Sequence, residues 1–300
     1  MQYTKPPLSI ADQVSRLSAR GLTISDTQYA EKTLKVISYY RLRAYTYPFQ
    51  DNADPDHPFI HSVTFEEIIK LYDFDRDLRL MVFDAIERIE IALRTLIVYN
   101  YAMKFGSHWY QEPTHFRNTQ YFDNDLASLD KEISRSDEEF IKHYFRTYHD
   151  PFRRPAWMSL EVATFTTLSK FYQNLSLCNE KIAIATCCGL KTFILENWMH
   201  ILSNVRNICA HHSRLYNRRL SQAIKLPGYT YKNLWLSDNS IVDNTKMYAI
   251  LCAITYLLDR MVPGHCFRGR ISDLFDKYPN VHPRVLRFPI GWQNENFWKA

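Results

Sequence analysis

"TFEEIIKLYDFDRDLRLMVFDAIERIEIALRTLIVYNYAMKFG", residues 64–106, decides the fold class of this chain. Thr64 and Glu67 have the spacing of a capping box, in which each side chain serves the other residue's backbone N–H at a helix start. Behind them Ile68, Leu71, Leu78, Val82, Ala85, Ile89, Ala92, Leu96, Tyr99 and Met103 recur at steps of three and four. No glycine or proline interrupts before Gly106. The pattern predicts one helix of roughly forty residues, with Asp75 the only charge in its apolar seam. A helix this long needs several partner helices or a second subunit to cover it.

Working outward, the rest of the chain reads as helical too. "SIADQVSRLSARG" predicts a short helix with Ser9 as its cap and Gly21 as its stop. The stretch from Ser25 or Asp26 to Pro48 predicts a second. Together with a turn-rich loop they form a helical hairpin over residues 1–60. Residues 61–262 form the main α-helical domain, interrupted by a less regular insertion at about 106–157 that holds a helical stretch near Leu126–Tyr144, in which a capping box at Ser136 and Glu139 also offers the start of a new helix. Helices are predicted over 158–175, over "NEKIAIATCCGL" ending at Gly189, over 192–219, and over "NTKMYAILCAITYLLDRMV". Residues 263–300, with three prolines after residue 270, read as a mostly irregular tail packed on the bundle. The architecture expected is an all-α bundle with long antiparallel helices and short terminal extensions.

Composition agrees. Of the 300 residues, 46% are hydrophobic and 15% aromatic, enough for a large core, while 7 glycines argue against a β- or loop-rich fold. No long uncharged apolar run suggests a transmembrane helix, and "MQYTKPPLSIADQV" lacks the apolar core of a signal peptide, so a soluble cytoplasmic protein with no membrane partner is expected. Six cysteines without a CxxC pair argue against a metal or redox centre, and nothing in the chain asks for a cofactor. The net charge of +5 permits an anionic partner without requiring one.

The stretch that carries chemistry is "RNICAHHSRL", residues 206–215. On a helical wheel centred on Val205, the residues Trp198, Ile201, Leu202, Ile208, Cys209, Leu215 and Tyr216 form a core face, and His212 falls with them. Arg206, Asn207, Ala210, His211, Arg214 and Arg218 fall on the opposite arc. Arginine donates in a fork suited to phosphate oxygens, and histidine moves a proton near neutral pH. Such a face suits cleavage of RNA by its own 2′-hydroxyl, with no metal. One histidine does not conveniently serve both sides of the phosphorus, so a two-fold homodimer that apposes two copies of the face would complete the site. A solvated polar helix face is the competing reading. Arg153 and Arg154 beside Phe152, and Lys35, Arg41 and Arg43 among tyrosines, read either as further RNA contacts or as ordinary surface charges.

The chain resembles the Abi-like proteins of bacterial phage defence (abortive infection, AbiD/AbiF type). The likeness runs through "YYRLRAYTYPF" at 39–49, "LYDFDRDLR" at 71–79, "IERIEIALR" at 86–94, "PAWMSLEVATFTTLSKFYQNL" at 155–175, "RNICAHHSRLYNR" at 206–218 and "FPIGW" at 288–292. That family is similar to the HEPN superfamily, marked by Arg, four to six residues, then His. Arg206 and His211 fit with four between. The resemblance implies a HEPN-like helical bundle, dimerisation through the motif helices, and metal-independent endoribonuclease activity. It carries over Arg206 and His211 as catalytic, with Asn207 as their polar supporter. His212 belongs to the family form of the motif without a catalytic role, and it joins Arg214 and Arg218 as supporting or RNA-binding positions. Glu87 and Glu90 either orient or restrain Arg206 or face solvent.

Related toxins carry a modifiable Tyr two residues after the histidine. Here that position is Ser213, which argues against regulation of that kind. Family members paired with structured noncoding RNAs make a noncoding RNA antitoxin a candidate partner. The leading expectation is an RNA-cleaving toxin of phage defence. The alternative is a non-catalytic RNA-binding protein of a toxin–antitoxin or abortive-infection system, and a weaker third reading is a DNA-binding regulator that uses residues 1–60.

Overall fold

The computed structural model describes residues 2, 6–228 and 234–299. Among the described residues the fold is all-α, with short 3-10 turns and a few isolated bridges in place of strands. The helices are α1 (Ile10–Ala19), α2 (Thr27–Ile37), α3 (Tyr39–Thr46), α4 (Phe65–Phe105), α5 (Thr119–Ser134), α6 (Glu139–Thr147), α7 (Ala156–Ser159), α8 (Phe165–Asn174), α9 (Asn179–Cys187), α10 (Thr192–Ala210), α11 (Met247–Met261) and α12 (Phe267–Lys277). None is long and apolar enough to cross a membrane. The chain divides into two compact units.

The first unit comprises residues 1–79 and 274–282. It takes in the hairpin segment together with the first turns of α4 and the end of α12. Ser9 caps α1 and Asp26 caps α2, each accepting a hydrogen bond from a backbone N–H three residues on. The single helix expected from residue 26 to Pro48 is broken at Ser38, whose φ of 66° leaves the helical region while its hydroxyl caps α3. The expected capping box is formed: Thr64 donates its N–H to Glu67, and Glu67 donates its N–H to the Thr64 hydroxyl. Here α4 packs Phe74 against Phe275 and Tyr278. Asp75 is fully buried, and it is not the only charge in the seam. Tyr45 donates its hydroxyl to Asp75 at 2.6 Å, and Arg79 pairs with the same carboxylate.

The second unit comprises residues 80–273 and 283–300. Helix α11 is its centre, with every residue from Met247 to Leu258 buried. Helix α8 packs against both α5 and α10. Three expectations need correction here. The insertion at 106–157 holds two helices, α5 and α6, because Asn118 caps Tyr121 N–H and starts α5 before the expected residue 126. The stretch 158–175 is not one helix: the chain leaves helical geometry after α7 and restarts where Thr164 caps α8 and receives a bridge to Glu132. The tail is more ordered than its prolines suggest. Phe288, Trp292 and Trp298 close over Tyr248 as a buried aromatic cluster, so packing area overrides local propensity.

Candidate active site at the end of helix α10

Helix α10 has no side-chain cap at its start and ends at Ala210, nine residues short of the predicted boundary at 219 by count along the sequence. Its face from Trp198 to Cys209 is as the wheel places it: Trp198, Ile201, Leu202, Val205 and Cys209 are buried, with only Ile208 partly exposed. The stop is a Schellman motif. His212 N–H bonds to the Cys209 carbonyl, and Ser213 N–H reaches back to Ile208 at 2.9 Å. His212 stands where glycine is usual and takes φ 56°. The wheel therefore misplaces it. His212 is exposed, because the helix has ended, while Leu215 and Tyr216 still reach the core through the turn that follows. His211 is the C-cap residue and is also exposed.

Arg206 lies one turn before that end. Its guanidinium is half-buried over the Phe83 ring, 5.4 Å from the centroid, with Nε 3.8 Å from a carboxylate oxygen of Glu90. Glu90 faces inward: it is buried and accepts a 2.7 Å bond from Arg94, whose guanidinium also donates to the Leu160 carbonyl. Burial pushes the Glu90 carboxyl above the ordinary glutamate range, although Arg94 and then Arg206 pull it down. Glu87 is exposed on α4 and forms no ion pair with Arg206, although its charge is felt at Glu90. Asn207 donates to the Thr166 hydroxyl of α8 at 3.1 Å. The result is an arginine with fixed bearings, an asparagine tied to the neighbouring helix, and a histidine at the free end.

Arg214 and Arg218 follow in the turn, half-buried, with Arg218 donating to the Arg214 carbonyl. Arg218 lines a cavity of about 190 Å³ with Asn204, Arg219 and Gln222. Nearby, the Lys246 amine is held below the ordinary lysine range by burial and then by the field of Arg287, with Arg219 and Arg214 adding to it. With Asp243 among them, 3.9 Å from Arg219, that makes a net positive cluster beside the end of α10. Lys246 and Arg287 carry no motif that marks them in the sequence, so only the fold assembles this cluster. The other basic residues fare differently. Arg153 is paired with Asp130, Arg154 is buried and stacked on Phe145, and Arg43 bonds to His57.

The structure also adds residues that the sequence reading passed over. Arg94 is one, although its four-residue spacing from Glu90 was a usable signal. Phe83 and Thr166 had none, since each meets the site through tertiary packing. Among the described residues, no group of three or more His, Cys, Asp or Glu is placed to hold a metal.

The family model described as Abi-like protein matches residues 32–217, more than half of the chain. The chain belongs to the Abi-like protein family. The match ends just past the α10 turn, so Arg206, Asn207, His211, Glu90 and Arg94 of this Abi-like protein all lie within it. Neither a curated protein nor a solved structure matches the chain.

Proposed function

We propose that this Abi-like protein is a metal-independent endoribonuclease of HEPN type that acts in abortive infection as a homodimer. The observation that supports it most is the bearing of Arg206. A half-exposed guanidinium, aimed by Glu90 and Phe83, lies within a turn and a half of an exposed histidine. In this reading His211 of one protomer removes the proton from an RNA 2′-hydroxyl, and the oxygen attacks the adjacent phosphorus. The bond to the 5′-oxygen breaks, and that oxygen takes a proton from the second copy's histidine, leaving a 2′,3′-cyclic phosphate and a 5′-hydroxyl. Arg206 stabilises the charge that gathers on the phosphoryl oxygens.

The test is cleavage of RNA in the presence of a chelator, with cyclic-phosphate ends. His211→Ala and Arg206→Ala should each lower the rate by about 10²–10⁴-fold. Excess His211→Ala protein should depress wild-type activity through mixed dimers if the copies share a site that needs both histidines. Undiminished cleavage by purified His211→Ala protein would overturn the assignment. A second reading, an RNA-binding protein without turnover, draws on the positive cluster of Arg214, Arg219, Lys246 and Arg287. It expects salt-sensitive RNA binding and no cleavage by the wild type. A noncoding RNA that restrains the protein would dock on the same cluster.

A further inference from the structure

A cavity of about 660 Å³ in the second unit is bordered by α5, α8 and the start of α10, away from the α10 terminus. Its volume falls in the range of small-molecule sites. Its buried amide and Glu196 are already spent on the framework. The Asn174 amide donates to the Asn118 carbonyl and accepts from the Asn118 N–H. Glu196 is held by Arg117 at 3.1 Å and by the buried Lys181 ammonium at 2.6 Å, so its charge is answered from within the protein.

Asp125 is the exception. It lines the cavity, is 8% exposed, and sits among buried Phe122, Leu126 and Leu129. Among the described residues it makes no hydrogen bond and no ion pair. Burial raises its carboxyl above the ordinary range, opposed by the charge of Lys170. The Asp125 side chain is packed into the wall while its carboxylate borders the cavity, where the N–H donors of a ligand can meet it. One turn before it on the same face of α5 stands Tyr121, 63% exposed at the cavity rim. Across the cavity, Lys170 and Arg117 supply positive charge.

We propose that this cavity binds a guanine nucleotide, with Asp125 reading the base, Tyr121 stacking on it, and Lys170 holding the phosphate. Guanine alone among the four RNA bases places two N–H donors, N1–H and N2–H, side by side on its pairing edge. They match the two oxygens of a carboxylate, and an aromatic face stacks on any base. The same chemistry is presented by a free nucleotide and by a guanosine within RNA. This site goes beyond the cleavage reading and does not depend on it, since binding is measured without turnover.

Calorimetry with guanosine 5′-monophosphate against the adenosine and uridine monophosphates tests it on the full chain. The guanine nucleotide should bind at least about tenfold more tightly than the other two, the discrimination of a bidentate base contact. Asp125→Asn should erase that preference. Lys170→Ala should weaken the nucleotide while leaving guanosine unchanged. Tyr121→Ala, at an exposed position that tolerates truncation, should weaken all three nucleotides and guards against a folding defect in the Asp125 variant. No guanine nucleotide binding at millimolar concentration, or equal binding of all bases, overturns the proposal, as does full affinity in Tyr121→Ala. A guanosine-containing tetranucleotide that outcompetes the monophosphate assigns the site to RNA; the reverse order assigns it to the free nucleotide.

Discussion

Helix α4 carries three acid–arginine pairs of the same spacing, and two of them, Asp75–Arg79 and Glu90–Arg94, are buried and serve different ends. Asp75 is 0% exposed and closes on Tyr45 and Arg79 within the first unit. Burial, and then the charge of Asp75, pushes the Tyr45 hydroxyl well up, which keeps it a neutral donor. Glu90 is answered by Arg94 in the same way, but its second oxygen faces Arg206, which is 34% exposed and 3.8 Å away. The first cluster is finished; the second keeps one charged member at the surface. The third partner, not the pair, separates a closed cluster from one that keeps a cation at the surface.

The comparison is broken most forcefully at Asp75. Asp75→Ala leaves the Arg79 guanidinium buried without its counter-charge, and stability should fall by about 3–5 kcal/mol in urea unfolding. A loss near the surface-pair value of about 1 kcal/mol or less would show that the cluster is not closed.

Glu90→Gln should cost less, because the amide oxygen still accepts from the buried Arg94 while Arg206 is free to turn towards water. Its larger effect should fall on RNA cleavage, through a misaimed Arg206. It should also change the pH profile. The raised Glu90 carboxyl means that the folded state holds that proton to higher pH than the unfolded chain does. Wild-type stability should therefore decline as pH rises from the ordinary glutamate value of 4.5 through the raised one. Glu90→Gln lacks that decline, so the difference between the two proteins should move in the variant's favour with rising pH. A flat difference across that interval would mean that Glu90 is as solvated as a surface acid.

The smallest effect belongs to the turn that frees His211. His212→Gly removes the left-handed penalty on a side-chain-bearing residue, worth about 1 kcal/mol. Thermal melting should rise by about 2–4 °C. A fall would show that the His212 side chain contributes more than its backbone costs.

These differences also mark how far the sequence could be read. The long helix of α4 was legible because periodicity, a capping box and the absence of breakers all agree over many turns. The ends of α10 and α2 were not. Each stops at a residue of positive φ that is not glycine, Ser38 for one and His212 for the other, and neither type is a reliable stop signal. His212 was misread for this reason alone, since a wheel has no meaning beyond the last helical residue. Arg206, Asn207 and His211 were legible as residue types at a spacing. Their bearings were not, because Phe83, Glu90 and Thr166 come from elements far away in sequence.

By itself, then, the sequence determined an all-α chain, the buried face of α10 and the residue types at its polar end, since these follow from local periodicity and side-chain type. Only tertiary structure decided which of two like-spaced acids meets Arg206, where α10 releases His211, and that Asp125 faces a cavity without a partner. Those outcomes depend on desolvation and on contacts between distant segments. A charged group's role is set by what surrounds it once water is removed, and a linear pattern does not record that.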